Sequence, residues 1–380
     1  MKGTIETAEV HKRAFLVGIR DEKMPVSEAD SLMKELSRLA DTLSLEVLAT
    51  EIVHLRGNNY KFGMGTGKAE ELAKKAVSLE VDCIVFDREI SPSQQRNWES
   101  LAGIPVIDRQ ELIIQIFAGR ARTREAELQV RLAELIYSLP RLQHKYIDLS
   151  RQRGGRYGSR DSGETKLETD RRQVERRIHR LEEELEQLKR QRQVQRKKRE
   201  RSGIPVCALV GYTNAGKSSI LNALTGAAVY AEDKLFATVD STSRRLRLPL
   251  GTEVLLVDTV GFIRRLPHSL VKAFHSTLEE ASHSEIILNV LDASDSEAEV
   301  QYDTTLSVLG ELDAAGIPTI TVLNKVDKVE SETNLRFDAL LNRYPGSVAV
   351  SALKGIGLSE LCAAIESSLV SQKKINQEGT

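Results

Sequence analysis

The sequence predicts an α/β protein in three parts: an N-terminal small parallel α/β domain, an antiparallel helical hairpin, and a second α/β domain built on a phosphate-binding loop. Three observations predict it. Strand-like and helix-like segments alternate near the N-terminus, two apolar helical stripes follow, and a glycine-rich phosphate motif then opens a second alternating region. The predicted boundaries are 1–110, 111–202 and 203–373 for these parts and 374–380 for a polar tail.

Composition limits the classes of protein that fit. The 380 residues carry 54 Lys and Arg against 55 Asp and Glu, so any basic surface for nucleic acid is local. The cysteines Cys83, Cys207 and Cys362 have no metal-binding spacing, which indicates reduced thiols and a cytoplasmic protein. We expect no membrane span, because no apolar run approaches the required length, and the N-terminus lacks the apolar region of a signal peptide.

The N-terminal region alternates between strand and helix patterns. The predicted strands are Ala14–Ile19, Glu46–Leu55, Val81–Phe86 and Ile104–Ile107. The predicted helices between them are Ser27–Ser44, Ala69–Ser78 and Pro92–Leu101. This alternation predicts a parallel sheet with helices on its faces.

A glycine-rich loop, Phe62–Lys68 (FGMGTGK), precedes the second of these helices. Three glycines and a lysine before a helix are able to bind a phosphate or an RNA backbone. The spacing matches neither the P-loop nor G-x-G-x-x-G, and a tight turn entering a helix explains the same residues equally well. A second nucleotide site, for ATP, is therefore not expected here.

Two apolar stripes at heptad spacing predict the helical hairpin. The first stripe is Leu128, Leu132, Leu135, Leu139 and Leu142, and the second is Leu167, Val174, Ile178, Leu181, Leu185 and Leu188. Pro140 is expected to end or kink the first helix. The joining loop, Arg151–Arg160, is basic and glycine-rich, which favours contact with RNA phosphates and stacking of Tyr157 on a base over a merely solvated loop.

The second α/β domain is predicted from Gly211–Ser218 (GYTNAGKS), which fits G-x-x-x-x-G-K-[ST]. An apolar run, Ile204–Val210, leads into the motif and a helical pattern follows it. Glycines let backbone N–H groups surround phosphate oxygens at a helix N-terminus. Lys217 then reaches the β- and γ-phosphates, and the Ser218 hydroxyl ligates Mg²⁺. The motif predicts a P-loop NTPase domain.

Three further motifs follow, each at the end of an apolar strand. Asp258 and Gly261 form D-x-x-G, which contacts Mg²⁺ through water and the γ-phosphate. N-K-x-D follows at Asn324–Asp327, where the final aspartate accepts hydrogen bonds from guanine that adenine does not offer. Ser351–Ala352 matches the backbone contact to the guanine carbonyl. Four motifs in this order predict a Ras-like G domain and a GTPase.

The loop between the P-loop and D-x-x-G must supply a hydroxyl that senses the γ-phosphate through Mg²⁺. Thr238 is the candidate and Thr242 the alternative. The predicted nucleotide-binding residues are Gly211, Tyr212, Thr213, Asn214, Ala215, Gly216, Lys217, Ser218, Ser219, Phe236, Thr238, Asp258, Gly261, Asn324, Lys325, Asp327, Ser351, Ala352 and Leu353. The predicted magnesium ligands are Ser218, Thr238 and Asp258, and the catalytic residues are Lys217, Thr238, Gly261 and Asn214.

Intrinsic GTP hydrolysis is expected to be slow and to be stimulated by an external factor. Phe262 follows D-x-x-G, where small signalling GTPases place a water-orienting glutamine, and a phenyl ring does not polarise water. Asn214, before Ala-Gly-Lys, is similar to an asparagine with which some GTPases hold a potassium ion in place of an arginine finger. A role for Asn214 in loop shape alone is equally open.

These stretches resemble the HflX GTPases of the translation-factor class over nearly the whole chain. The matching segments are Gly63–Leu72, Ser91–Asn97, Val106–Arg109, Arg120–Ala126, Gly163–Glu168, Asp170–Arg172, Gly211–Ser219, Leu235–Thr238 and Asp258–Arg265. The chain departs from the family pattern within Arg160–Glu164, and it has Ser241 where the family has proline.

The resemblance implies a GTPase that binds the ribosome, mainly the large subunit and its rRNA, and that dissociates or rescues stalled ribosomes under stress. The ribosome is then the candidate for the external factor that stimulates GTP hydrolysis. We expect a monomer. The alternative is a GTPase/ATPase RNA remodeller or ribosome-assembly factor that acts on RNA through the N-terminal domain. ATPase activity that survives Lys217→Ala but is lost with Lys68→Ala would favour the alternative.

Overall fold

The computed structural model describes residues 12–55, 61–152, 160–201, 203–227, 232, 234–265, 279–329 and 334–378. The chain forms two compact units. The first contains Met1–Gly119 and Ala133–His179, and the second contains Arg120–Leu132 and Arg180–Thr380. The boundaries 1–110, 111–202, 203–373 and 374–380, inferred from the sequence, remain predictions. Among the described residues, no helix is both long and apolar enough to cross a membrane.

The first unit is built on a four-stranded sheet with strand order β2-β1-β3-β4. Its strands are β1 Arg13–Arg20, β2 Glu46–His54, β3 Cys83–Phe86 and β4 Val106–Asp108. The helices in this part of the chain are α1 Val26–Thr42, α2 Thr66–Ser78, α3 Pro92–Ala102 and α4 Arg109–Arg120. All neighbouring strands pair in parallel, which confirms the predicted parallel α/β fold.

The central strands explain the apolar runs of the sequence. β1 and β3 lie inside the sheet and are buried on both faces, so they are apolar at consecutive positions. Trp98 on α3 is fully buried, and its ring centre lies 5.5 Å from that of Phe62 and 5.1 Å from that of Phe86. The α3 N-terminus is closed by a capping box between Ser91 and Gln94.

Two long helices follow, α5 Arg124–Gln152 and α6 Arg160–Arg201. Within the second unit, ion pairs Arg124–Glu184 at 2.9 Å and Glu125–Arg192 at 2.8 Å join the start of α5 to the second half of α6. This pairing is the one an antiparallel hairpin requires. The predicted tip contact through Tyr157 lies outside the described residues.

α5 continues through Pro140, so of the two expected effects, an end or a kink, the end is wrong and the kink stays a prediction. Proline removes one backbone donor from the helix, and the next residue, Arg141, makes several contacts with the first unit. Arg141 pairs with Asp108 at 3.1 Å and donates to Gln95 at 2.9 Å, all within the first unit. The buried leucines of the first stripe are Leu128, Leu132 and Leu135.

The second unit is built on a six-stranded sheet with strand order β10-β9-β8-β5-β7-β6. Its strands are β5 Val206–Gly211, β6 Thr242–Arg247, β7 Glu253–Asp258, β8 Ile286–Asp292, β9 Thr319–Asn324 and β10 Val348–Ala349. Its helices beyond the hairpin include α7 Lys217–Thr225, α8 Ala298–Glu311, α9 Asn334–Arg343 and α10 Leu358–Glu378. β6 is antiparallel to β7, and the other neighbours are parallel.

The parallel strands of this sheet bring the sequence motifs to one edge. Leu209 in β5 lies beside Asp258 in β7, and Asp292 in β8 lies beside Asn324 in β9. Carboxyl ends of parallel strands form the ligand-binding edge of such sheets. The fold therefore places the P-loop, D-x-x-G and N-K-x-D side by side, as the predicted P-loop domain requires.

Candidate nucleotide-binding site

The phosphate loop connects the end of β5 to the start of α7, and its glycines are required by shape. Gly211 and Gly216 have φ values of 141° and 95°, which favour glycine. A Cβ on Gly211 would overlap the carbonyl oxygen of Val290, and one on Gly216 would overlap the amide nitrogen of Asn324. The fixed glycines of the motif thus bring the loop against β8 and β9.

Lys217 is held inside this loop. Its side chain is buried, and its ammonium donates to the carbonyl oxygens of Gly211 at 3.1 Å and Tyr212 at 2.8 Å. Burial lowers the pKa of Lys217 to about 8, and the nearby carboxylate of Asp258 opposes that shift. An anion bound beside this ammonium would restore the preference for the charged form.

Ser218, Thr238 and Asp258 meet beside the loop. The Ser218 hydroxyl lies 2.7 Å from the Thr238 hydroxyl and donates to Asp258 Oδ2 at 2.6 Å. Asp258 is fully buried, burial raises its pKa, and its Oδ1 has no hydrogen-bond partner among the described residues. Thr242 instead opens β6, opposite Asp258 in the ladder. The geometry therefore favours Thr238 over Thr242.

D-x-x-G crosses directly over the phosphate loop. Phe262 N–H donates to the carbonyl of Gly211 at 3.0 Å, and Thr213 N–H donates to the carbonyl of Phe262 at 2.8 Å. A Cβ on Gly261 would lie 2.7 Å from Thr213 Cα and 3.0 Å from the Lys217 ammonium, so a side chain does not fit there. The Phe262 ring is 1% exposed, which places it in the core and not at the phosphates.

These elements line a cavity beside the phosphate loop. Its lining residues are Thr213, Asn214, Gly216, Lys217, Ser218, Ser219, Glu232, Lys234, Phe236, Ala237, Thr238 and Gly261. The sequence did not identify Glu232, Lys234 or Ala237 as site residues. They lie in the predicted switch stretch, but no motif spacing marks them.

Asn214 has φ of 62°, a left-handed conformation that asparagine adopts more readily than most residues. The residue belongs to the cavity lining. The conformation supports a role in loop shape, and a role as a potassium ligand stays a prediction.

Asn324 connects the phosphate loop to the last motif. Its amide nitrogen donates to the carbonyl of Ala215 at 2.9 Å, and its oxygen accepts the N–H of Ala352 at 3.2 Å. Asn324 is 2% exposed, so both bonds are shielded from water. The asparagine of N-K-x-D thus holds two loops together.

Asp327, Lys325 and Leu353 lie around the same edge. Asp327 accepts a hydrogen bond from Ser351 Oγ at 2.5 Å, and this bond is the main cause that lowers the pKa of Asp327. Lys325 pairs with Asp292 at 2.8 Å, a partner that the sequence did not reveal although Asp292 ends a strand at the ligand edge. The side chain of Leu353 is exposed.

The N-terminal glycine loop has a different environment. Lys68 pairs with Glu51 at 2.6 Å and Glu71 at 2.7 Å, and these bonds, Glu51 first, raise the pKa of Lys68. The carbonyl of Phe62 accepts the indole N–H of Trp98 at 2.9 Å. The loop is a turn fixed on α3, and its ammonium already has two carboxylates.

Three family models match consecutive parts of the chain. Residues 30–118 match the GTP-binding GTPase N-terminal family, 120–199 the GTP-binding GTPase middle region, and 206–325 the 50S ribosome-binding GTPase family. The GTPase HflX of Akkermansia muciniphila is 46% identical over 376 residues, which cover 97% of this chain and 86% of that protein. The chain belongs to the HflX GTPase family. Membership in the HflX family confirms the resemblance inferred from the motifs, and together with the P-loop domain it identifies the protein as a GTPase.

Other HflX relatives agree. The Escherichia coli GTPase HflX is 42% identical over 337 residues, which cover 89% of this chain and 79% of that protein. Among solved structures, the complex of SsGBP with GDP is 26% identical, has a TM-score of 0.50, and covers 95% of this chain and 99% of its own. GTP binding by the HflX-type G domain accords with these relatives.

Proposed function

We propose that this HflX-family GTPase binds the ribosome, mainly the large subunit and its rRNA, and uses GTP to dissociate or rescue stalled ribosomes under stress. The observation that carries the proposal is the match of residues 206–325 to the family described as 50S ribosome-binding GTPase. In this proposal the protein acts in the cytoplasm as a monomer. Exposed arginines on α6, such as Arg176 and Arg177, are suited to rRNA phosphates.

Within the nucleotide site, each loop has a proposed role. Backbone N–H groups of Gly211–Ser219 surround the phosphates, and Lys217 neutralises the charge of the β- and γ-phosphates. Asp327 accepts the two guanine hydrogen bonds, with its orientation fixed by Ser351. Asn324 keeps the phosphate loop and the Ala352 loop at a constant separation through its two hydrogen bonds.

The residues beside the phosphates fit a magnesium ion. Ser218, Thr238 and Asp258 present oxygen atoms, the ligands that Mg²⁺ prefers, and the buried Oδ1 of Asp258 has no partner within the described part of the chain. Ser218 and Thr238 would ligate the ion directly and Asp258 through water. When bound, the ion supplies positive charge to the β- and γ-phosphate oxygens.

Hydrolysis by this site is proposed to be slow until a partner completes it. The buried Phe262 ring has no means of orienting the attacking water, so positioning must come from elsewhere, and the ribosome is the proposed source. GTP holds Thr238 and Gly261 on the γ-phosphate, and hydrolysis releases both. Affinity for a partner that contacts these loops therefore differs between the two nucleotide states.

Sedimentation with purified ribosomes and separated subunits tests the proposal. We expect co-migration with the large subunit in the presence of a non-hydrolysable GTP analogue and release in GDP. Thr238→Ala should remove the difference between nucleotides, and Thr238→Ser should retain it because serine keeps the hydroxyl. Absence of binding in both nucleotides contradicts the ribosomal partner. ATPase activity that survives Lys217→Ala but not Lys68→Ala would instead support the RNA remodeller.

A further inference from the structure

A carboxylate from the switch loop binds the start of α5. Asp240 accepts hydrogen bonds from the backbone N–H of Arg122 at 3.0 Å, from the backbone N–H of Thr123 at 3.3 Å, and from the Thr123 hydroxyl. All three residues belong to the second unit. One side chain thus satisfies two backbone donors and one hydroxyl directly before the first turn of a 29-residue helix.

Thr123 is itself the residue that caps α5. Its hydroxyl oxygen accepts the N–H of Ala126 at 3.2 Å, and its carbonyl accepts the N–H of Glu127 at 3.0 Å. The first N–H groups of a helix have no partner within the helix, and negative charge near them is favourable. Asp240 therefore extends the cap, because it orients the Thr123 hydroxyl and places a carboxylate at the helix N-terminus. We call Asp240 with Arg122 and Thr123 the switch cap.

A second contact joins the same two segments. Glu232 pairs with Arg120 at 3.0 Å, and their side chains are 33% and 17% exposed. Glu232 also belongs to the lining of the phosphate cavity. Glu232 precedes Thr238 in the switch loop and Asp240 follows it. The loop is consequently attached to residues 120–123 on both sides of its γ-phosphate sensor.

The switch cap coexists with Thr238 at the magnesium site. The Thr238 hydroxyl is 2.7 Å from the Ser218 hydroxyl while Asp240 binds Thr123. Val239, 2% exposed, is the one residue between them. Because consecutive Cα atoms are about 3.8 Å apart, Thr238 has little freedom to withdraw from the phosphates without displacing Asp240.

We propose that the switch cap links the nucleotide state to the first helix of the hairpin. The inference rests on the proposed role of Thr238 as the residue that binds Mg²⁺ and senses the γ-phosphate. With GTP bound, Thr238 is held and Asp240 caps α5. After hydrolysis, Thr238 is released, Asp240 withdraws, and the first turn of α5 loses its external cap. By thermodynamic linkage the same contacts strengthen binding of GTP relative to GDP.

A double-mutant cycle measures this coupling. Affinities for a non-hydrolysable GTP analogue and for GDP, both with Mg²⁺, are determined for Asp240→Ala, Thr123→Ala and the double variant. We expect each single change to weaken binding of the GTP analogue about fivefold, equivalent to about 1 kcal/mol, and binding of GDP by less than about twofold. The double variant should be no weaker than either single one. Equal effects on both nucleotides, or additive effects in the double variant, would overturn the proposal.

Control variants isolate the contact. Ser241→Ala changes the exposed neighbour of Asp240 and should leave both affinities unchanged. Thr123→Ser keeps the hydroxyl and should retain the affinity for the GTP analogue. Glu232→Gln breaks the second contact and should shift the affinities in the same direction as Asp240→Ala. Glu253→Gln breaks an exposed ion pair with Arg245 in the same unit and should have no effect.

Hydrogen exchange provides a direct second measurement. Amides at the start of α5, residues 122–127, should exchange more slowly with the GTP analogue than with GDP, and Asp240→Ala should remove the difference. Thr238→Ala separates the two proposals. If Thr238→Ala abolishes discrimination between nucleotides while the double-mutant cycle shows no coupling, the proposed link between the switch cap and the nucleotide is wrong and the role of Thr238 stands. If coupling persists while Thr238→Ala has no effect, the role of Thr238 is wrong.

Discussion

Two loops of this protein place glycines and a lysine before a helix, and their lysines have opposite environments. In Gly211–Ser218, the ammonium of Lys217 is buried against main-chain carbonyl oxygens, and burial lowers its pKa to about 8. In Phe62–Lys68, the ammonium of Lys68 binds Glu51 and Glu71, and its pKa is raised. A bound anion would stabilise the charged form of Lys217, whereas the charge of Lys68 is already balanced by two carboxylates.

The comparison shows that loop composition does not by itself define a phosphate site. Neighbouring charges decide it, and one of them comes from another element of the fold. Glu51 lies on β2, whereas Glu71 lies three residues after Lys68 on the same helix, α2. A phosphate at Lys68 would have to displace or tolerate both carboxylates, whereas a phosphate at Lys217 meets a desolvated cation and the N-terminus of α7.

The largest expected difference is in GTP hydrolysis. Lys217→Ala should reduce the rate of phosphate release on the order of a hundredfold or more, because it removes the cation that stabilises the charge of the transferred phosphoryl group. Lys68→Ala is the matched variant and should leave the rate within about twofold of the wild type. Equal losses in both variants would remove the distinction between the loops.

The nucleotide-free protein should become more stable as the pH rises from about 8 toward 10.5. The unfolded chain retains the Lys217 proton up to about 10.5, whereas the folded protein releases it near 8, so the unfolded state binds more protons in this window. The free energy of unfolding should gain on the order of 3 kcal/mol relative to Lys217→Met. Denaturant unfolding of both proteins across this pH range is the measurement, and identical pH dependence in the two would contradict the assignment.

Potassium should raise the rate of hydrolysis several-fold over sodium if Asn214 ligates the ion. The N-terminal loop has Gly65 at the corresponding position before Gly-Lys, so it has no such ligand. Rates measured in matched potassium and sodium salts, with wild type and Asn214→Ala, test this. Equal rates in the two salts, together with an unchanged Asn214→Ala variant, would leave Asn214 with a role in loop shape alone.

The smallest effect is expected from Glu51→Gln. Glu51 pairs with both Lys68 and Lys75 at 2.6 Å, but these ion pairs are partly exposed, so the free energy of unfolding should fall by less than about 1 kcal/mol. Denaturant midpoints of wild type and Glu51→Gln at low and high salt measure this loss. We expect the difference between the two proteins to be smaller at high salt. A loss several times larger would contradict the small contribution expected of partly exposed ion pairs.

The sequence predicted those features that depend on local pattern. Parallel strands and their helices were predicted because buried strands are continuously apolar and each motif lies at a strand end. Motif spacing predicted the nucleotide-site positions of the fixed glycines, Ser218 and Asp258. Partners distant in sequence were not predictable: the pairings of Lys68 with Glu51 and of Asp240 with Thr123 arise only when the fold brings separate segments together. Continuation of α5 through Pro140 was likewise not predictable, because the contacts of Arg141 with Asp108 and Gln95 join segments distant in sequence.

We expect guanine nucleotide to bind at Gly211–Ser218 and no nucleotide to bind at the Phe62–Lys68 loop. Calorimetric titration with a non-hydrolysable GTP analogue and with a non-hydrolysable ATP analogue tests both expectations, using wild type, Lys217→Ala and Lys68→Ala. The titrations should show one GTP-analogue site per chain, lost in Lys217→Ala and unchanged in Lys68→Ala, and no ATP-analogue site. A nucleotide site that survives Lys217→Ala and disappears in Lys68→Ala would contradict both expectations.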